Sequence, residues 1–254
     1  MESEWTMLTA SDVSVRFGGI DALTGVDLAV PVGKVSGLIG PNGAGKTTMF
    51  NVLTGLVAPT SGTVRLAGSV ITKWPPHRRA RAGIARTFQR LDLFTRLTVE
   101  ENLAAAWEAA HAGAVFGRRR RERRRLVETV TEMLTLGPIA HRVAGQLPTG
   151  QGRMVELGRA LCAEPRVLLL DEPSSGLDRH ETRRFSEVLR SVVGARGNGE
   201  PAVLLVEHDM SLVMEVCDAI TVLDFGKRIA CGTPSAIRAD PTVRAAYLGD
   251  ADAA

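Results

Sequence analysis

The stretch that decides the fold is Gly40-Pro41-Asn42-Gly43-Ala44-Gly45-Lys46-Thr47-Thr48. It fits the pattern G-x-x-x-x-G-K-[ST] and lies between a predicted buried strand, Val35 to Ile39, and a predicted helix, Thr47 to Leu53. The glycines let successive backbone N–H groups converge on phosphate oxygens, and the amino terminus of the helix adds partial positive charge. Lys46 would contact the β- and γ-phosphates, and the Thr47 hydroxyl would bind Mg²⁺. We therefore expect the nine residues to line a nucleotide site; the alternative is a glycine-rich turn without a ligand.

The chain has 254 residues, of which 44% are hydrophobic and 23% are charged. A chain of this length buries roughly three quarters of the surface that its unfolded form exposes, which excludes a disordered tail or a disulfide-stapled miniprotein. The longest aliphatic stretches, Val167 to Leu170 and Ala202 to Val206, are far shorter than the ~20 apolar residues of a membrane-spanning helix. The acidic start, Met1 to Trp5, lacks the order of a signal peptide. We therefore expect a cytoplasmic protein that does not cross a bilayer by itself.

Cysteine usage agrees with a reducing compartment. The three cysteines, Cys162, Cys217 and Cys231, lie far apart in the sequence and form no CxxC pair. An odd number without metal-ligand spacing indicates reduced thiols that pack in the interior, rather than a metal or redox site.

A basic run interrupts the otherwise balanced charge pattern. Seven of the eight residues from Arg118 to Arg125 are arginine, and Glu122 is the exception. Such a run is typical of a site for nucleic acid or anionic lipid, or of a solvated start of a helix. No aromatic residue alternates with the arginines to stack on bases, which argues against nucleic acid as a partner.

Short apolar runs rich in β-branched residues alternate with longer amphipathic stretches, which predicts an α/β fold with a largely parallel sheet. Residues from about Thr98 to Leu136 have helical periodicity and form a predicted helical insert. The tail from Ser235 to Leu248 is predicted as two short helices that Pro241 separates. Besides the strand before the phosphate loop, the predicted strands are Asp12 to Arg16, Val26 to Val30, Val64 to Leu66, Val70-Ile71, Val167 to Leu170, Ala202 to Val206 and Ala219 to Leu223.

Two adjacent carboxylates, Asp171 and Glu172, follow the strand that begins at Val167. Ligands of parallel sheets bind at the carboxyl edge of the strands, so these side chains would lie near the phosphate loop. Asp171 would hold Mg²⁺, and Glu172 would orient and deprotonate the attacking water. By itself, an apolar run that ends in Asp-Glu is a common strand end; together with the phosphate loop it predicts the second half of a hydrolytic site.

Two further polar residues are candidates for the same edge. His208 follows the strand from Ala202 to Val206 and could donate a hydrogen bond to the γ-phosphate, although a lone histidine is more often structural. Gln89 precedes the helical insert and could contact Mg²⁺ or the attacking water. Composition alone does not single out Gln89.

These elements, in this order, resemble the ATP-binding cassette (ABC) family over essentially the whole chain. The resemblance implies one P-loop NTPase domain over residues 1–254, with an antiparallel β subdomain and a helical subdomain inserted at about residues 90–150. It also implies a role at each matching position: Gln89 in the loop that joins core and helical subdomain, His208 as the switch histidine, and Phe17 as the aromatic that stacks on adenine. Ser175-Gly176-Leu177-Asp178 resembles the loop that crosses the dimer interface. For Phe17 the alternative is an ordinary core phenylalanine.

The family signature, close to Leu-Ser-Gly-Gly-Gln, is altered in this chain to Leu147-Pro148-Thr149-Gly150-Gln151. In the family this segment closes on the γ-phosphate bound by the partner subunit. Pro148 removes a hydroxyl and one N–H group, but Thr149 could supply a hydroxyl, and Gly150 and Gln151 can still donate. Loss of one charge-assisted hydrogen bond costs about 1.5–3 kcal/mol, so the departure would slow hydrolysis without abolishing it.

Two segments resemble the cassettes of branched-chain amino acid importers: residues 85–103 and residues 232–249. Related cassettes for urea, amides and lipopolysaccharide share much of this pattern. In the first segment, Leu91, Leu93 and Phe94 could form a groove for a helix of a membrane partner, or could pack within the helical subdomain.

The resemblance implies an ATPase that uses ATP and Mg²⁺ and couples hydrolysis to transport. Its partners would be a second cassette (a copy of this chain or a paralogue), permease subunits on the inner face of the cell membrane, and a solute-binding protein. The alternatives are a cassette that acts on nucleic acid or the ribosome, and a regulatory subunit that binds ATP with weak turnover. The sequence leaves the cargo and the direction of transport open.

Overall fold

The computed structural model describes residues 6–87, 91–111, 118–194 and 200–248. Ten strands and nine α-helices occur in these ranges. The strands are β1 (Thr6–Phe17), β2 (Ile20–Pro31), β3 (Val35–Ile39), β4 (Ser61–Leu66), β5 (Ser69–Val70), β6 (Ile84–Arg86), β7 (Val167–Asp171), β8 (Ala202–Val206), β9 (Ala219–Asp224) and β10 (Lys227–Gly232). The helices are α1 (Lys46–Thr54), α2 (Pro76–Arg81), α3 (Val99–Ala110), α4 (Arg118–Met133), α5 (Thr149–Cys162), α6 (Arg179–Gly194), α7 (Met210–Val216), α8 (Pro234–Ala239) and α9 (Pro241–Leu248).

A six-stranded sheet forms the centre of the fold, in the order β10-β9-β3-β8-β7-β6. Strands β9, β3, β8, β7 and β6 are parallel, and only the edge strand β10 is antiparallel to its neighbour. Strands β3, β7 and β8 are fully buried. Because parallel sheets are covered on both faces, such strands read as continuous apolar runs, and this is the pattern that predicted them.

The second sheet is antiparallel, in the order β2-β1-β4-β5. Its register places Val13 opposite Val26 and Ala10 opposite Val64. Shifts in register accompany irregular positions such as Asp12, whose φ is 50°. The buried side chains of this sheet alternate with exposed ones, so one face packs on the rest of the protein and the other faces solvent.

Successive side chains of the central strands point to opposite faces of the sheet, and this divides the core in two. On one face, residues such as Val35, Leu168 and Leu205 pack against α3 to α7. On the other face, Leu38, Leu169 and Leu204 pack against α1 and the antiparallel sheet. The central sheet, including the carboxyl ends of its parallel strands, therefore lies between a layer of helices and a layer made of α1 and the second sheet.

Helices α3, α4 and α5 all lie between β6 and β7 in the sequence, and α3 and α4 confirm the predicted helical insert. A capping box begins α3: the Thr98 hydroxyl accepts from the Glu101 N–H, and the Glu101 carboxylate accepts from the Thr98 N–H. The two predicted helices of the tail are α8 and α9, and Pro241 begins the second of them.

Two expectations from the sequence need correction. Strands β6 and β10 were not predicted, because Ile84–Arg86 is only three residues long and Lys227–Gly232 is a half-exposed edge strand without a clear apolar alternation. Cys231 is exposed, so it is not a packing thiol like the buried Cys162 and Cys217.

Within the described ranges, no helix combines the length and apolarity that a bilayer crossing needs.

Candidate functional site

The phosphate loop joins β3 to α1, and its backbone depends on glycine. Gly40, Gly43 and Gly45 have φ values of 151°, 80° and 103°, which side chains of L-residues rarely adopt. A Cβ atom at Gly40 would also collide with the carbonyl oxygen of Leu223 in the neighbouring strand. The loop can therefore fold closely against the sheet and turn its backbone toward the amino terminus of α1, as the sequence pattern predicted.

The other residues of the loop are divided between its two sides. Pro41 and Ala44 are buried against the fold, whereas Asn42 is exposed. Thr47 is exposed and Thr48 half-buried in the first turn of α1. The Thr47 hydroxyl is accordingly open to a ligand bound at the loop.

The Lys46 ammonium donates to the carbonyl oxygens of Gly40 at 2.6 Å and Pro41 at 2.9 Å. The side chain thus curls back over its own loop. Burial lowers the pKa of Lys46 below its usual value, and the nearby carboxylates of Glu172 and Asp171 offset only part of that shift. A phosphate group that entered the loop would meet a desolvated ammonium group next to two carboxylates.

Asp171 is the last residue of β7 and is buried. One carboxylate oxygen, Oδ2, forms an ion pair with Nη2 of Arg86 at 2.7 Å. The Asp171 N–H donates to the Thr87 hydroxyl at 3.3 Å. Strand β6 thus fixes the carboxylate at the edge of the sheet, a contact that sequence reasoning missed because β6 itself was not predicted.

Glu172 and His208 form a direct pair at the same edge. Nε2 of His208 lies 2.7 Å from Oε1 of Glu172. Glu172 has a φ of 48°, a left-handed value that costs energy in a residue with a side chain, and its N–H donates to the Val206 carbonyl at 2.9 Å. The strained backbone is held by β8, and it turns the Glu172 side chain toward His208 rather than along the line of β7.

Glu207, which sequence reasoning did not select, organises the backbone around this pair. Its buried carboxylate accepts from the N–H of Ser174 at 2.7 Å and from the N–H of His208 at 3.0 Å. One side chain thereby joins the loop after Glu172 to the loop that carries His208. The only signal in the sequence was an acidic residue at the end of an apolar strand.

The donor set at this edge suits a hard cation. Within the described ranges, no group of three or more His, Cys, Asp or Glu side chains could hold a metal by itself. Asp171 and Thr47 offer a carboxylate and a hydroxyl oxygen, the ligand types that Mg²⁺ takes together with phosphate oxygens. The residues present therefore fit Mg²⁺ that arrives with a nucleotide. Gln89, the third expected ligand, lies outside the described residues.

Phe17 ends β1, and 51% of its surface is exposed. That exposure rules out the alternative of a core phenylalanine. The ring is available to a planar ligand, but its position by itself does not identify that ligand.

The altered signature lies at the start of α5. Pro148 takes the position just before the helix, and its carbonyl accepts from the Gly152 N–H at 3.0 Å. Pro148 and Thr149 are exposed, whereas Gly150 is buried. Proline fits this position because the N–H groups of the first helical turn have no partner within the helix.

The signature contacts the loop from Ser175 to Asp178 within the same chain. A Cβ atom at Gly150 would collide with the carboxylate of Glu181, and one at Gly176 would lie 3.1 Å from the Thr149 methyl group. Asp178, exposed before α6, accepts from the N–H groups of His180 and Glu181 at 2.8 Å each. The two segments therefore form one continuous surface. Gln151, the residue after Gly150, is half-buried.

A groove of about 490 Å³ separates the helical insert from the central sheet. Small side chains, including Ala106, Ala109 and Ala160, form one wall. The lining charges that are not buried are those of Arg81, Arg86, Arg159 and Asp92, so cations outnumber carboxylates. Near one end, the Arg159 guanidinium lies 4.6 Å from the centre of the Phe94 ring and contacts the Asp92 carbonyl. The groove thus combines a smooth apolar wall with positive charge.

The apolar residues after Gln89 lie beside this groove. Leu91 and Phe94 are exposed, as the groove hypothesis expected. Leu93, in contrast, is half-buried and packs against the core of the helical layer, which is the alternative that the sequence left open.

The arginine run begins α4. Arg123 forms an ion pair with Glu108 of α3, and Arg124 pairs with Glu128 one turn along α4. Arg120, Arg121 and Arg125 are exposed. This arrangement is that of a solvated helix surface.

Comparison with known families gives two matches. Residues 23–175 match the family described as ABC transporter. Residues 227–253 match a model described as branched-chain amino acid ATP-binding cassette transporter.

Two of the curated proteins similar to this chain carry the same description. The chain is 42% identical to the high-affinity branched-chain amino acid transport ATP-binding protein of Pseudomonas aeruginosa, over 96% of this chain and 98% of the relative. It is 38% identical to the protein of the same description in Escherichia coli K12, with the same coverage. It is also 34% identical to the lipopolysaccharide export system ATP-binding protein of Haemophilus influenzae, over 96% and 98% of the two chains.

Solved structures agree with the fold. The ADP conformation of an ATP-binding cassette of an ABC transporter has a TM-score of 0.82 and 29% identity, covering 96% of this chain and 99% of that one. A dimeric cassette in a post-hydrolysis state, bound to ADP and phosphate, has a TM-score of 0.76 and 26% identity, covering 90% and 99%.

Proposed function

This chain belongs to the ATP-binding cassette family, and we propose that it hydrolyses ATP to drive the uptake of branched-chain amino acids through a membrane permease. The observation that carries the catalytic part is the meeting of Lys46, Asp171, Glu172 and His208 at one edge of the sheet. The match of residues 227–253 to the branched-chain amino acid model supports the cargo.

ATP would bind with its phosphates on the loop from Gly40 to Thr48. Backbone N–H groups and the Lys46 ammonium would hold the phosphate oxygens, and ATP would draw Lys46 away from the carbonyls of Gly40 and Pro41. Asp171, Thr47 and Gln89 would hold Mg²⁺. When bound, Mg²⁺ neutralises charge on the β- and γ-phosphates.

Glu172 would accept the proton of the attacking water, and His208 would hold Glu172 and donate toward the γ-phosphate. The 2.7 Å contact between their side chains supports this division of work, because a base must be oriented before it can act. Glu207 holds the backbone around the pair, because its carboxylate accepts hydrogen bonds from the N–H groups of Ser174 and His208.

A second cassette would complete each site. The resemblance to a dimeric cassette supports a pair in which the signature of one subunit faces the phosphate loop of the other. Thr149, Gly150 and Gln151 would then approach the γ-phosphate of the partner, Asp178 would lie at the interface, and Phe17 would stack on adenine. The exposure of Phe17, Thr149 and Asp178 is compatible with these contacts.

The groove beside the helical insert would receive a helix of the permease. Its alanine wall allows a helix to approach closely, and its arginines favour an occupant that carries a carboxylate.

The chain would accordingly lie in the cytoplasm on the inner face of the membrane, bound to the permease. A solute-binding protein on the other side would deliver the amino acid. Residues 1–254 would act as one cassette, with residues 90–150 as the helical subdomain that touches the permease.

Uptake of radiolabelled leucine by cells that lack the gene tests the proposal. We expect leucine uptake to fall and to be restored by the gene but not by its Glu172→Gln variant, while uptake of an unrelated sugar stays constant. Unchanged leucine uptake would contradict the proposed cargo. Loss of surface lipopolysaccharide in the same cells would instead favour the export function of the Haemophilus influenzae relative.

A further inference from the structure

Arg86 belongs to two sites at once. Its guanidinium forms an ion pair with Asp171, and the same residue lines the groove between the sheet and the helical insert. It ends β6, the strand that leads from the core toward the insert. No other side chain on the groove wall has an ion pair to Asp171 among the described residues.

The contacts of Arg86 fix the guanidinium between α1 and β7. Nη2 binds Oδ2 of Asp171 at 2.7 Å, and Nη1 donates to Oδ1 of Asn51 at 2.9 Å. The guanidinium carbon lies 5.4 Å from the centre of the Phe50 ring. Both members of the ion pair have side chains that are only 11% exposed, so solvent screens their attraction weakly.

The ion pair opposes the binding of a cation at Asp171. A carboxylate that already neutralises a half-buried guanidinium is a weaker ligand for Mg²⁺ than a free one, because the two cations draw on the same negative charge. Movement of Arg86 away from Asp171 would therefore strengthen the site for Mg²⁺ without any change in the ligands themselves.

The groove supplies a means to move Arg86. An occupant with a carboxylate would compete with Asp171 for the guanidinium, since Arg81 and Arg159 on the groove wall outnumber its one unburied carboxylate, Asp92. We propose that Arg86 is a positioning residue through which an acidic occupant of the groove controls the affinity of Asp171 for Mg²⁺. This inference rests on the proposed function, in which a permease helix fills the groove.

The first experiment measures Mg²⁺ binding without hydrolysis. A fluorescent ATP analogue is bound to the full chain carrying Glu172→Gln, and Mg²⁺ is titrated. We expect Arg86→Gln to lower the Mg²⁺ concentration at half-saturation by roughly five- to tenfold, and Arg86→Lys, which keeps the charge, to change it less than twofold. The matched control is Arg81→Gln, which removes an exposed arginine of the same groove that has no ion pair to Asp171.

The second experiment fills the groove with a probe of known charge. Ala109, which is exposed on the groove wall, is changed to Cys in a Cys231→Ser background, because Cys231 is the exposed native thiol. The cysteine is modified with 3-maleimidopropionic acid or, for equal bulk without charge, with N-ethylmaleimide. We expect the acidic probe to lower the half-saturating Mg²⁺ concentration at least about threefold when Arg86 is present, and to have no effect in the Arg86→Gln variant.

Two results would overturn the inference. One is an Arg86→Gln variant that needs as much Mg²⁺ as the parent, or more, which is expected if Arg86 only holds the fold together. The other is an acidic probe that acts equally with and without Arg86. Both measurements use the isolated chain, so they stand even if the leucine uptake experiment fails.

Discussion

Nε2 of His208 lies 2.7 Å from Oε1 of Glu172, although 36 positions separate the two residues in the chain. Strands β7 and β8 are neighbours in the parallel sheet, and each residue follows the end of one of them. The left-handed backbone of Glu172 completes the contact by turning its side chain toward the next strand. A hydrolytic pair thus forms where two parallel strands end side by side.

Glu172→Gln should lower turnover by orders of magnitude and preserve ATP binding. The amide keeps the shape of the side chain but cannot accept a proton from water, so we expect the ATPase rate to fall by about 10²- to 10⁴-fold while ATP affinity changes little. Steady-state phosphate release and equilibrium binding of ATP check the two parts. A variant that hydrolyses ATP as fast as the parent would show that another group is the base.

His208→Ala should lower the rate less severely. Without the imidazole, Glu172 loses the partner that orients it, and we expect a fall of about ten- to a hundredfold in the ATPase rate. His180→Ala, at an exposed histidine in α6, is the matched control and should retain the parental rate. Equal losses in both variants would argue against a specific role for His208.

Pro148→Ser should raise the ATPase rate of the assembled transporter, by up to about tenfold, since it restores both a hydroxyl and an N–H group to the signature. Serine also suits the position before α5, where its hydroxyl can cap the helix. Pro148→Ala restores the N–H group alone and separates the two contributions. If Pro148→Ser and the parent turn over at equal rates, the altered signature does not limit hydrolysis.

Arg79→Met should destabilise the fold. Arg79 is 1% exposed, and its guanidinium donates to the carbonyls of Val52, Leu53, Thr72 and Trp74, so it satisfies the carboxyl end of α1. Burial lowers the pKa of Arg79 to about 10, which still leaves it charged at neutral pH.

We expect Arg79→Met to lower the free energy of unfolding by about 3 kcal/mol and the melting temperature by roughly 6–12 °C. Arg78→Met, at the exposed neighbour whose guanidinium lies over the Trp74 ring, is the control and should shift the melting temperature by only a degree or two. Scanning calorimetry distinguishes them. Similar melting temperatures for the two variants would mean that the carbonyls of α1 find other donors.

The thiols should differ in reactivity. Burial raises the pKa of Cys162 and of Cys217 to about 12, so at pH 8 only about one in ten thousand of these groups is a thiolate. Cys231 is exposed. We expect a thiol-reactive dye to label the native protein at one site, to label all three thiols in denaturant, and to leave native Cys231→Ser unlabelled. Rapid native labelling of the Cys231→Ser variant would show that a buried thiol opens to solvent.

Local sequence predicted the elements whose pattern is complete within a few residues. The phosphate loop requires glycine at fixed spacing, and the buried strands β3, β7 and β8 read as apolar runs whatever lies beside them. The carboxylates at the end of β7 could be placed at the edge of the sheet for the same reason. Strands such as β6 and β10, which are short or half-exposed, lack such a pattern and appeared only in the structure.

The sequence by itself therefore determined that this is a nucleotide-binding α/β protein with Lys46, Asp171, Glu172 and His208 at one edge. Only the tertiary structure decided how those residues are connected. The ion pair of Arg86 with Asp171 joins positions 85 apart, and the bonds of Glu207 and Arg79 join loops and helices far from their own. The order of strands β8, β7 and β6 creates these contacts, and that order is set by how whole elements pack together rather than by any local spacing.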